Sequence, residues 1–366
     1  MTENHSVDIV IIGSGFGGSL TALLLGRIGF RVLLLDRGQH PRFAVGESST
    51  PIADLVLRDL ASRYDLPQLL PLTRYGTWKA TYPELICGVK RGFSYFAHKA
   101  GHSFEPFPDH RNELLVAASN KESLADTHWL RSDVDSFFVS QVEAAGISYL
   151  DQTNVSIVDS IPSWHLKGNR DGSTFEIYAD FLIDASGETG FLPHAMNLDD
   201  ASGVMRTNSR AIFAHFVGVV PWNDILRTQR ANTDDHPFPC DAAALHHILE
   251  EGWMWQLRFD NGITSAGFVL DADRHPLNLD IPPEKEWDDL LNRYPSLAEQ
   301  FASAKLVAPA QGLCRTGRLQ RQWTQITGNN WALMPHTAGF VDPLNSTGIA
   351  HTLCGVERVV HLLEHH

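Results

Sequence analysis

The sequence predicts an α/β protein in which a Rossmann-type dinucleotide-binding unit is interrupted by a domain built on an antiparallel sheet. The chain opens with a buried strand, a glycine-rich turn and an apolar helix, and it closes with a strand, a loop and another helix. Between them, 77–102 and 209–270 are rich in aromatic and β-branched residues with glycine turns, which is typical of antiparallel strands. The nucleotide-binding and substrate-side domains are expected to divide the chain as follows: 1–75, 103–208 and 325–366 for the first, and 76–102 and 209–324 for the second.

The opening turn has the pattern of a dinucleotide site. Strand 7–12 runs into G-S-G-F-G-G at 13–18. The first glycine permits the tight turn, the second lets a pyrophosphate approach the backbone, and the third lets the helix pack closely on the strand. A second apolar strand, 31–35, ends at an acidic residue placed to bind ribose hydroxyls, which disfavours a 2′-phosphate. The residues expected to contact the dinucleotide here are Gly13, Gly15, Phe16, Gly18, Asp36 and Arg37.

Composition excludes several classes of protein. The chain has 366 residues, 43% of them hydrophobic, so it can bury a large core. Its net charge of −14 repels nucleic acid and anionic membrane surfaces. Its apolar runs are far shorter than the roughly 20 residues that span a bilayer. Because the N-terminus lacks the basic start of a secretory signal, a cytoplasmic location is expected.

No metal site is expected from the sequence. The four cysteines are scattered without a C-x-x-C pair. His246, His247 and Glu250 fall on a predicted helix, but their spacing differs from that of H-E-x-x-H. The ending L-E-H-H at 363–366 fits either a native helix end or an expression tag, and it carries no functional weight.

Two later segments resemble FAD-binding elements of glutathione-reductase-like flavoproteins. D-A-S-G at 184–187 resembles a turn that lies close to the FAD in that family, and 331–348 resembles the family's final FAD-binding element. The resemblance implies that the dinucleotide is FAD. Pro335 and His336 replace the family's Gly-Asp, so the ribityl contact is either weakened or made by His336. The other residues implied to contact the FAD are Asp184, Gly187, Gly348 and Ile349.

Nearly the whole chain resembles the flavin-dependent halogenases within the p-hydroxybenzoate-hydroxylase-like fold. F-V-D-P-L-N-S-T-G at 340–348 fits the family pattern F-x-x-P-x-x-S-x-G. V-G-E-S-S-T-P at 45–51 resembles the flavin-side loop of the family, which implies cofactor contacts from Glu47 and Ser48. Arg131 resembles an arginine that contacts the cofactor.

The segment W-M-W-Q-L-R at 253–258 resembles the family motif W-x-W-x-I-P, with different residues at its last two positions. Trp253 and Trp255 alternate along a predicted strand and therefore face the same side, where they line either the core or a pocket for an aromatic substrate. Asn345 stands where the tryptophan-halogenating branch has a glutamate.

The resemblance implies a reaction in which FADH2 from a separate flavin reductase, oxygen and chloride or bromide yield hypohalous acid, which travels to an electron-rich aromatic or heteroaromatic substrate. A buried lysine can hold hypohalous acid by a charge-assisted hydrogen bond or react with it. Lys79 resembles the lysine of the tryptophan branch and Lys90 that of the phenol and pyrrole branch, and Lys79 is ranked slightly first. The halide is implied at the amides of Thr347 and Gly348, beside Ser346 as a further catalytic candidate.

Two other functions fit the same sequence. The altered ending of the W-x-W motif and Asn345 favour a relative that hydroxylates, epoxidises or reduces its substrate without halide, such as a monooxygenase. A flavin-binding carrier or sensor without catalysis is the third possibility, although flavin bound in such a fold normally performs chemistry.

Overall fold

The computed structural model describes residues 4–365, in which two large sheets are flanked by helices. The strands are β1 His5–Ile12, β2 Val32–Leu35, β3 Cys87–Lys90, β4 Gly92–Ala97, β5 Glu113–Ala117, β6 Asp126–Trp129, β7 Ser148–Leu150, β8 Thr153–Asp159, β9 Trp164–Arg170, β10 Ser173–Asp184, β11 Ser209–Val217, β12 Ala244–Ile248, β13 Gly252–Arg258, β14 Ile263–Asp271, β15 Lys305–Ala308, β16 Cys314–Arg315, β17 Arg321–Gln322, β18 Thr327–Gly328, β19 Trp331–Leu333 and β20 Gly339–Phe340.

The α-helices are α1 Phe16–Ile28, α2 Pro51–Arg63, α3 Tyr75–Thr81, α4 Arg131–Ala144, α5 Phe191–Ala195, α6 Trp222–Thr228, α7 Pro283–Asn292, α8 Pro295–Phe301, α9 Pro335–Ala338 and α10 Gly348–His365. Short 3-10 helices lie at Pro67–Thr73, Glu122–Leu124, Gly187–Thr189 and Ser202–Val204. None of the helices within 4–365 combines the length and apolar character needed to cross a membrane.

The first sheet confirms the predicted Rossmann-type unit. Its strand order is β18-β19-β10-β1-β2-β7, in which β19, β10, β1, β2 and β7 run parallel to one another, whereas β18 is antiparallel to β19 and β9 is antiparallel to β10. Alternate residues of β1 face opposite sides, with Ile9 and Ile11 packing against α1, α2, α4 and α10 and Val10 and Ile12 packing on the side of β8 and β9. Because its central strands are buried on both faces, they are continuously apolar.

The second sheet confirms the inserted domain, with one difference from the expected pattern. Its order is β15-β11-β14-β13-β12-β4-β5, and every pair is antiparallel except β12 with β4, which run parallel. One face packs against α6, α7 and α8 in a second apolar core. The other face carries aromatic side chains that are only partly buried.

Two expectations about local structure are corrected. The strand β5 falls within 103–208, yet it belongs to the second sheet because it forms a hairpin with β4. The predicted helix that contains His246 and His247 is instead strand β12, held between β4 and β13. Pairing on both edges overrides the local sequence preference here, and the two adjacent histidine rings consequently point to opposite faces of the sheet.

The apolar core under the first sheet gives a stability prediction on one helix. In α2, Leu57 is fully buried in that core, whereas Leu55 is 59% exposed. We expect Leu57→Ala to lower the free energy of unfolding by about 2 to 5 kcal/mol, because it leaves a cavity. The control Leu55→Ala should change it by less than about 0.5 kcal/mol. Urea unfolding compares the two, and equal effects would contradict the packing described here.

Candidate functional site

The glycine turn after β1 is held in place from both sides. Gly13 has φ 107°, and a Cβ there would lie 2.3 Å from the carbonyl oxygen of Ala185, so no other residue fits. A Cβ on Gly18 would lie 1.9 Å from the carbonyl oxygen of Gly13. A Cβ on Gly15, in contrast, would approach a side-chain nitrogen of Arg131 only to 3.5 Å, an ordinary contact. The fold itself therefore requires glycine at Gly13 and Gly18. Glycine is required at Gly15 only if a ligand fills the space beside it.

The N-terminus of α1 is arranged as an anion site. Asp135 accepts a hydrogen bond from the N–H of Phe16 at 3.1 Å. The amides of Gly17 and Gly18 lie in the first turn of α1, where the helix has no backbone carbonyl that can accept their hydrogen bonds. Unsatisfied amides at the positive end of the helix dipole favour a phosphate group.

Asp36 lies at the end of β2 and holds the turn from the other side. Its carboxylate accepts hydrogen bonds at 2.8 Å from the N–H and the hydroxyl of Ser14 and from the N–H of Gly38. Burial favours the neutral acid, but Arg42 and these hydrogen bonds outweigh it, so the pKa of Asp36 is lowered. Asp36 is therefore a carboxylate at neutral pH, at the position where a ribose is expected, whereas Arg37 points to solvent.

Arg131 connects the nucleotide turn to the loop 45–51. Its guanidinium forms two hydrogen bonds of 2.9 Å to Asp135 and donates to the carbonyl of Val45 at 3.0 Å. It also lies over the ring of Phe16. The planar, bidentate contact fixes both the α1 N-terminus and the loop.

Glu47 and Ser48 lie in that loop and are buried. An oxygen of the Glu47 carboxylate lies 2.8 Å from Nε2 of His215, on the second sheet. Phe43 from the same loop stands against Phe213 and His215, with ring centroids 6.2 and 4.8 Å away. The loop is thus the place where the two sheets meet.

Lys90 is a completely buried lysine at the end of β3. Its ammonium donates to the carbonyl of Ser49 at 2.5 Å and lies 4.2 Å from the ring centroid of Phe93. Burial lowers the pKa of Lys90 to about 8, and the nearby Asp126 and Asp54 carboxyl groups oppose that shift. At neutral pH most Lys90 side chains are therefore charged, in a site shielded from water.

Asp54 and Asp126 share the surroundings of Lys90. Burial raises the pKa of both carboxyl groups, and for Asp54 the charge of Asp126 and a hydrogen bond to it raise the pKa further. The hydroxyl of Ser49 donates to Asp54 at 3.2 Å. The raised pKa values mean that both carboxyl groups are harder to ionise than in water, while each, when ionised, stabilises the ammonium of Lys90.

Lys79 lies elsewhere, and the ranking of the two lysines is reversed. Its side chain is 31% exposed on α3 and forms an ion pair of 2.8 Å with Asp260. The hydrogen bond to Asp260 raises the pKa of Lys79. A paired lysine at the surface has no donor directed into a dry pocket, so the geometry favours Lys90.

The predicted turn at 184–187 meets the final element of the chain. The buried carboxylate of Asp184 accepts hydrogen bonds from the amides of Ser186 and Leu192, so it closes its own turn rather than projecting outward. Gly187 has φ 65° and donates its N–H to the hydroxyl of Thr337. This hydrogen bond connects the turn after β10 to α9.

The loop before α10 is shaped by an unusual backbone conformation. Ser346 has φ 54°, in the left-handed region that a non-glycine residue seldom adopts, and α10 begins two residues later at Gly348. Thr347 is exposed, and Ile349 is buried in the first core. Nε2 of His336 lies 3.2 Å from the carbonyl oxygen of Gly348, and burial lowers the pKa of His336 to about 4. His336 is therefore a neutral group packed against the start of α10.

The second sheet turns an aromatic face towards these loops. Its register places Tyr95 beside His246 and His246 beside Trp255, so the three side chains project from the same face. The ring centroids of His246 lie 4.8 Å from Tyr95 and 5.3 Å from Trp253. A Cβ at Gly267 would lie 2.2 Å from the Trp255 ring, so glycine makes room for the indole to lie across the sheet. The aromatic face consists of Phe93, Tyr95, Phe213, His246, Trp253 and Trp255.

His246 is a deeply buried member of the aromatic face. Burial lowers the pKa of His246 to about 4, the charge of Lys90 adds to this, and hydrogen bonds that include the backbone of Leu344 oppose it. The sequence indicated Lys90 and the loop before α10 as parts of the candidate site. It did not indicate His246, Asp54, Asp126 or Asp135 as parts of it. Only Asp135 has a local signal, because it stands four residues after Arg131 on α4.

Comparison with known proteins agrees with this architecture. A family model described as tryptophan halogenase matches residues 127–366, and one described as an NAD(P)-binding Rossmann-like domain matches residues 11–62. The crystal structure of halogenase PltM in complex with phloroglucinol and FAD superimposes with a TM-score of 0.86 at 28% identity, covering 97% of this chain and 69% of that chain.

Two curated relatives are similar over almost the whole chain. Tetracycline 7-halogenase of Kitasatospora aureofaciens is 33% identical over 351 residues, which cover 94% of this chain and 61% of the relative. The monodechloroaminopyrrolnitrin halogenase PrnC of Pseudomonas fluorescens is 30% identical over 356 residues, which cover 96% of this chain and 60% of the relative. The chain thus spans about 60% of the length of these relatives. It belongs to the tryptophan halogenase family, as a member of the flavin-dependent halogenases whose pattern its sequence carries.

Proposed function

We propose that the protein is a flavin-dependent halogenase that uses FADH2, oxygen and chloride or bromide to halogenate an electron-rich aromatic or heteroaromatic compound. The observation that carries the proposal is the buried ammonium of Lys90 beside the aromatic face. The relatives and the neighbouring structure named above, which include a complex with phloroglucinol and FAD, support the same reaction class.

FAD fits the residues around the glycine turn. The free amides at the start of α1 suit the pyrophosphate, the Asp36 carboxylate suits a ribose, and the space beside Gly15 is left open. Arg131 connects this turn, through Asp135, to the loop 45–51. Reduced FAD held there would give two electrons to oxygen and the halide would give two more, so that FADH2, O2, halide and one proton yield FAD, hypohalous acid and water.

We propose that a separate flavin reductase supplies the FADH2, as the resemblance to the flavin-dependent halogenases implies, and that the reaction takes place in the cytoplasm.

The start of α10 is the proposed halide site. The amides of Thr347 and Gly348 occupy the positive end of an 18-residue helix, and Ser346 holds the left-handed conformation that turns the chain into it. His336, next to Gly348, is neutral, so the positive potential at this site comes from the amides and the helix dipole. The helix dipole and two amides are adequate for an anion that is only transiently bound.

Lys90 is the proposed catalytic residue that receives hypohalous acid. An ammonium has three donors, and the hydrogen bond to Ser49 uses one of them. The others have no hydrogen-bond acceptor among residues 4–365, so they can donate to the oxygen of hypohalous acid and polarise it towards the halogen. Water exclusion strengthens this interaction and protects the oxidant from side reactions.

The aromatic face is the proposed substrate wall. Trp253 and Trp255 present partly buried indoles at the side of His246, and the ring of Phe93 already lies under the ammonium of Lys90. A flat, electron-rich ring stacked on this wall lies edge-on to Lys90, which favours attack on the halogen.

Binding of FAD is tested with a glycine that the fold does not need. Gly15→Ala leaves only ordinary contacts of 3.5 and 3.8 Å within the protein, but it fills the place of the pyrophosphate. We expect its Kd for FAD to rise at least about 10-fold, or roughly 1.4 kcal/mol, with an unchanged unfolding midpoint. Gly317→Ala, where a Cβ meets nothing within 4 Å, is the control. Fluorescence titration measures both, and normal affinity in Gly15→Ala would place the pyrophosphate elsewhere.

Halogenation is tested with a pair of lysine variants. Supplied with a flavin reductase, oxygen and chloride or bromide, the wild type should halogenate a phenol or pyrrole, as followed by mass spectrometry. We expect Lys90→Met to lower this rate by about 100- to 10,000-fold, because a positioned proton donor is lost, and to leave FAD binding intact. Lys79→Met, which removes only a surface ion pair, should retain the wild-type rate.

Three outcomes would count against this assignment. Equal rates for Lys90→Met and the wild type would remove Lys90 from the reaction. Loss of activity in Lys79→Met alone would restore that lysine as the candidate. Oxygenated product formed at the same rate without halide would establish a monooxygenase instead.

The pH dependence follows from the same lysine. Because burial lowers the pKa of Lys90 to about 8, its ammonium is present below that pH and is lost as the pH rises through it. We expect single-turnover halogenation to fall above about pH 8 in the wild type and to show no such step in Lys90→Met. A rate that rises through the same range would mean that the neutral amine, and not the ammonium, is the reactive form.

A further inference from the structure

A cluster of two histidines and a glutamate lies outside the site described above. Oε2 of Glu113 lies 3.2 Å from Nδ1 of His110 and 2.9 Å from Nε2 of His236. The potential ligand atoms of the three residues all lie within 4.8 Å of one another. Two imidazole nitrogens and one carboxylate oxygen at such distances match the ligand set of a zinc site that keeps one position for water. We call this group the two-histidine cluster.

The chain brings the cluster together from two distant segments. His110 has φ 50° and accepts the N–H of Glu113 on its carbonyl, so a tight turn aligns the two side chains just where β5 begins. His236 comes from the loop between α6 and β12, more than a hundred residues later. The ring of Phe96, which pairs with Glu113 across β4 and β5, lies 6.5 Å from that of His236.

The potential ligand side chains are well shielded. Those of Glu113 and His236 are only 1% and 5% exposed, and that of His110 is 30% exposed. The second oxygen of Glu113 and Nδ1 of His236 are buried without a hydrogen-bond partner among residues 4–365. Buried polar atoms without a partner cost free energy. A bound cation can satisfy the Glu113 carboxylate more completely than the two neutral imidazole rings do.

A carboxylate lies beside the cluster without a hydrogen bond to it. Oδ2 of Asp235 lies 3.7 Å from Nε2 of His110, the nitrogen that points away from Glu113 and that is buried without a hydrogen-bond partner among residues 4–365. Histidines that bind metals through one nitrogen commonly donate the other N–H to a carboxylate, which fixes the ring. With two neutral histidines, Glu113 and Asp235 balance the two positive charges of a divalent cation.

We propose that the two-histidine cluster binds one divalent transition metal ion, of which zinc is the best match, with His110, Glu113 and His236 as its ligands. The site ties edge strand β5 to the loop before β12, on the side of the second sheet opposite the aromatic face. It is independent of the halogenation proposed above. The sequence conceals it, because only the spacing of His110 and Glu113 is local.

Metal binding is tested on the full chain, freed of any affinity tag, stripped with a chelator and titrated with zinc chloride by calorimetry. The exposed group His361, Glu364 and His365 near the end of α10 also has metal-like spacing, so all proteins carry His361→Ala and His365→Ala. We expect about one zinc ion per chain. Glu113→Gln should bind at least about 100-fold more weakly, and Asp235→Asn about 10-fold more weakly.

The outcomes decide between a metal and a simple hydrogen-bonded trio. The background protein carries only His361→Ala and His365→Ala. If it binds zinc and Asp235→Asn weakens that binding, the proposal is supported even if Glu113→Gln fails to fold. Asp235→Asn leaves the core intact, because the side chain of Asp235 is 63% exposed. The proposal is overturned if the background protein does not bind zinc. It is also overturned if Asp235→Asn and a folded Glu113→Gln both bind zinc as tightly as the background protein does. Binding of FAD, measured alongside, should not depend on zinc.

Discussion

Burial of the Lys90 ammonium is the constraint around which the candidate site is organised. An ammonium removed from water is stable only if its surroundings supply acceptors and opposite charge. Ser49 supplies the acceptor, Asp54 and Asp126 supply negative charge, and Phe93 supplies the face of an aromatic ring. These groups come from the loop before α2, from α2 itself, and from β6 and β4. The charge survives at neutral pH only because all of these elements converge on it.

A continuous set of contacts joins the nucleotide turn to the wall of the second sheet. It runs from the first helical residue, Phe16, through Asp135 and Arg131 to the carbonyl of Val45, and from there along the loop to Glu47 and His215. The contacts of Asp135 and Arg131 are charge-assisted hydrogen bonds in a largely buried place, where such bonds are strong and directional, and the last contact is a close approach of 2.8 Å between Glu47 and His215. A cofactor bound at the turn therefore rests on the same side chains that position the loop between the two sheets.

The features that the sequence revealed are those encoded over short distances. The turn at Gly13 and Gly18 and the carboxylate of Asp36 depend on one strand, one helix and the next strand, which adjoin in the chain as they do in space. The fold class followed from these signals and from the character of the later strands. The sequence could not show that Lys90 is the more buried of the two lysines, because burial depends on pairing between β3 and β6, whose residues are some 40 positions apart. The strand at His246 was mistaken for a helix for a similar reason, since its neighbours lie on β4 and β13.

The alternation of side chains along β12 explains how one sheet serves two purposes. His246 and His247 are adjacent, but a strand directs them to opposite faces. His246 joins the aromatic face next to Lys90, whereas His247 contacts His98 and Gln256 inside the helix-covered core. Burial lowers the pKa of both histidines, so neither brings a positive charge that would compete with the ammonium. A rigid core on one face thus fixes the rings on the other, and the pocket keeps Lys90 as its charged donor.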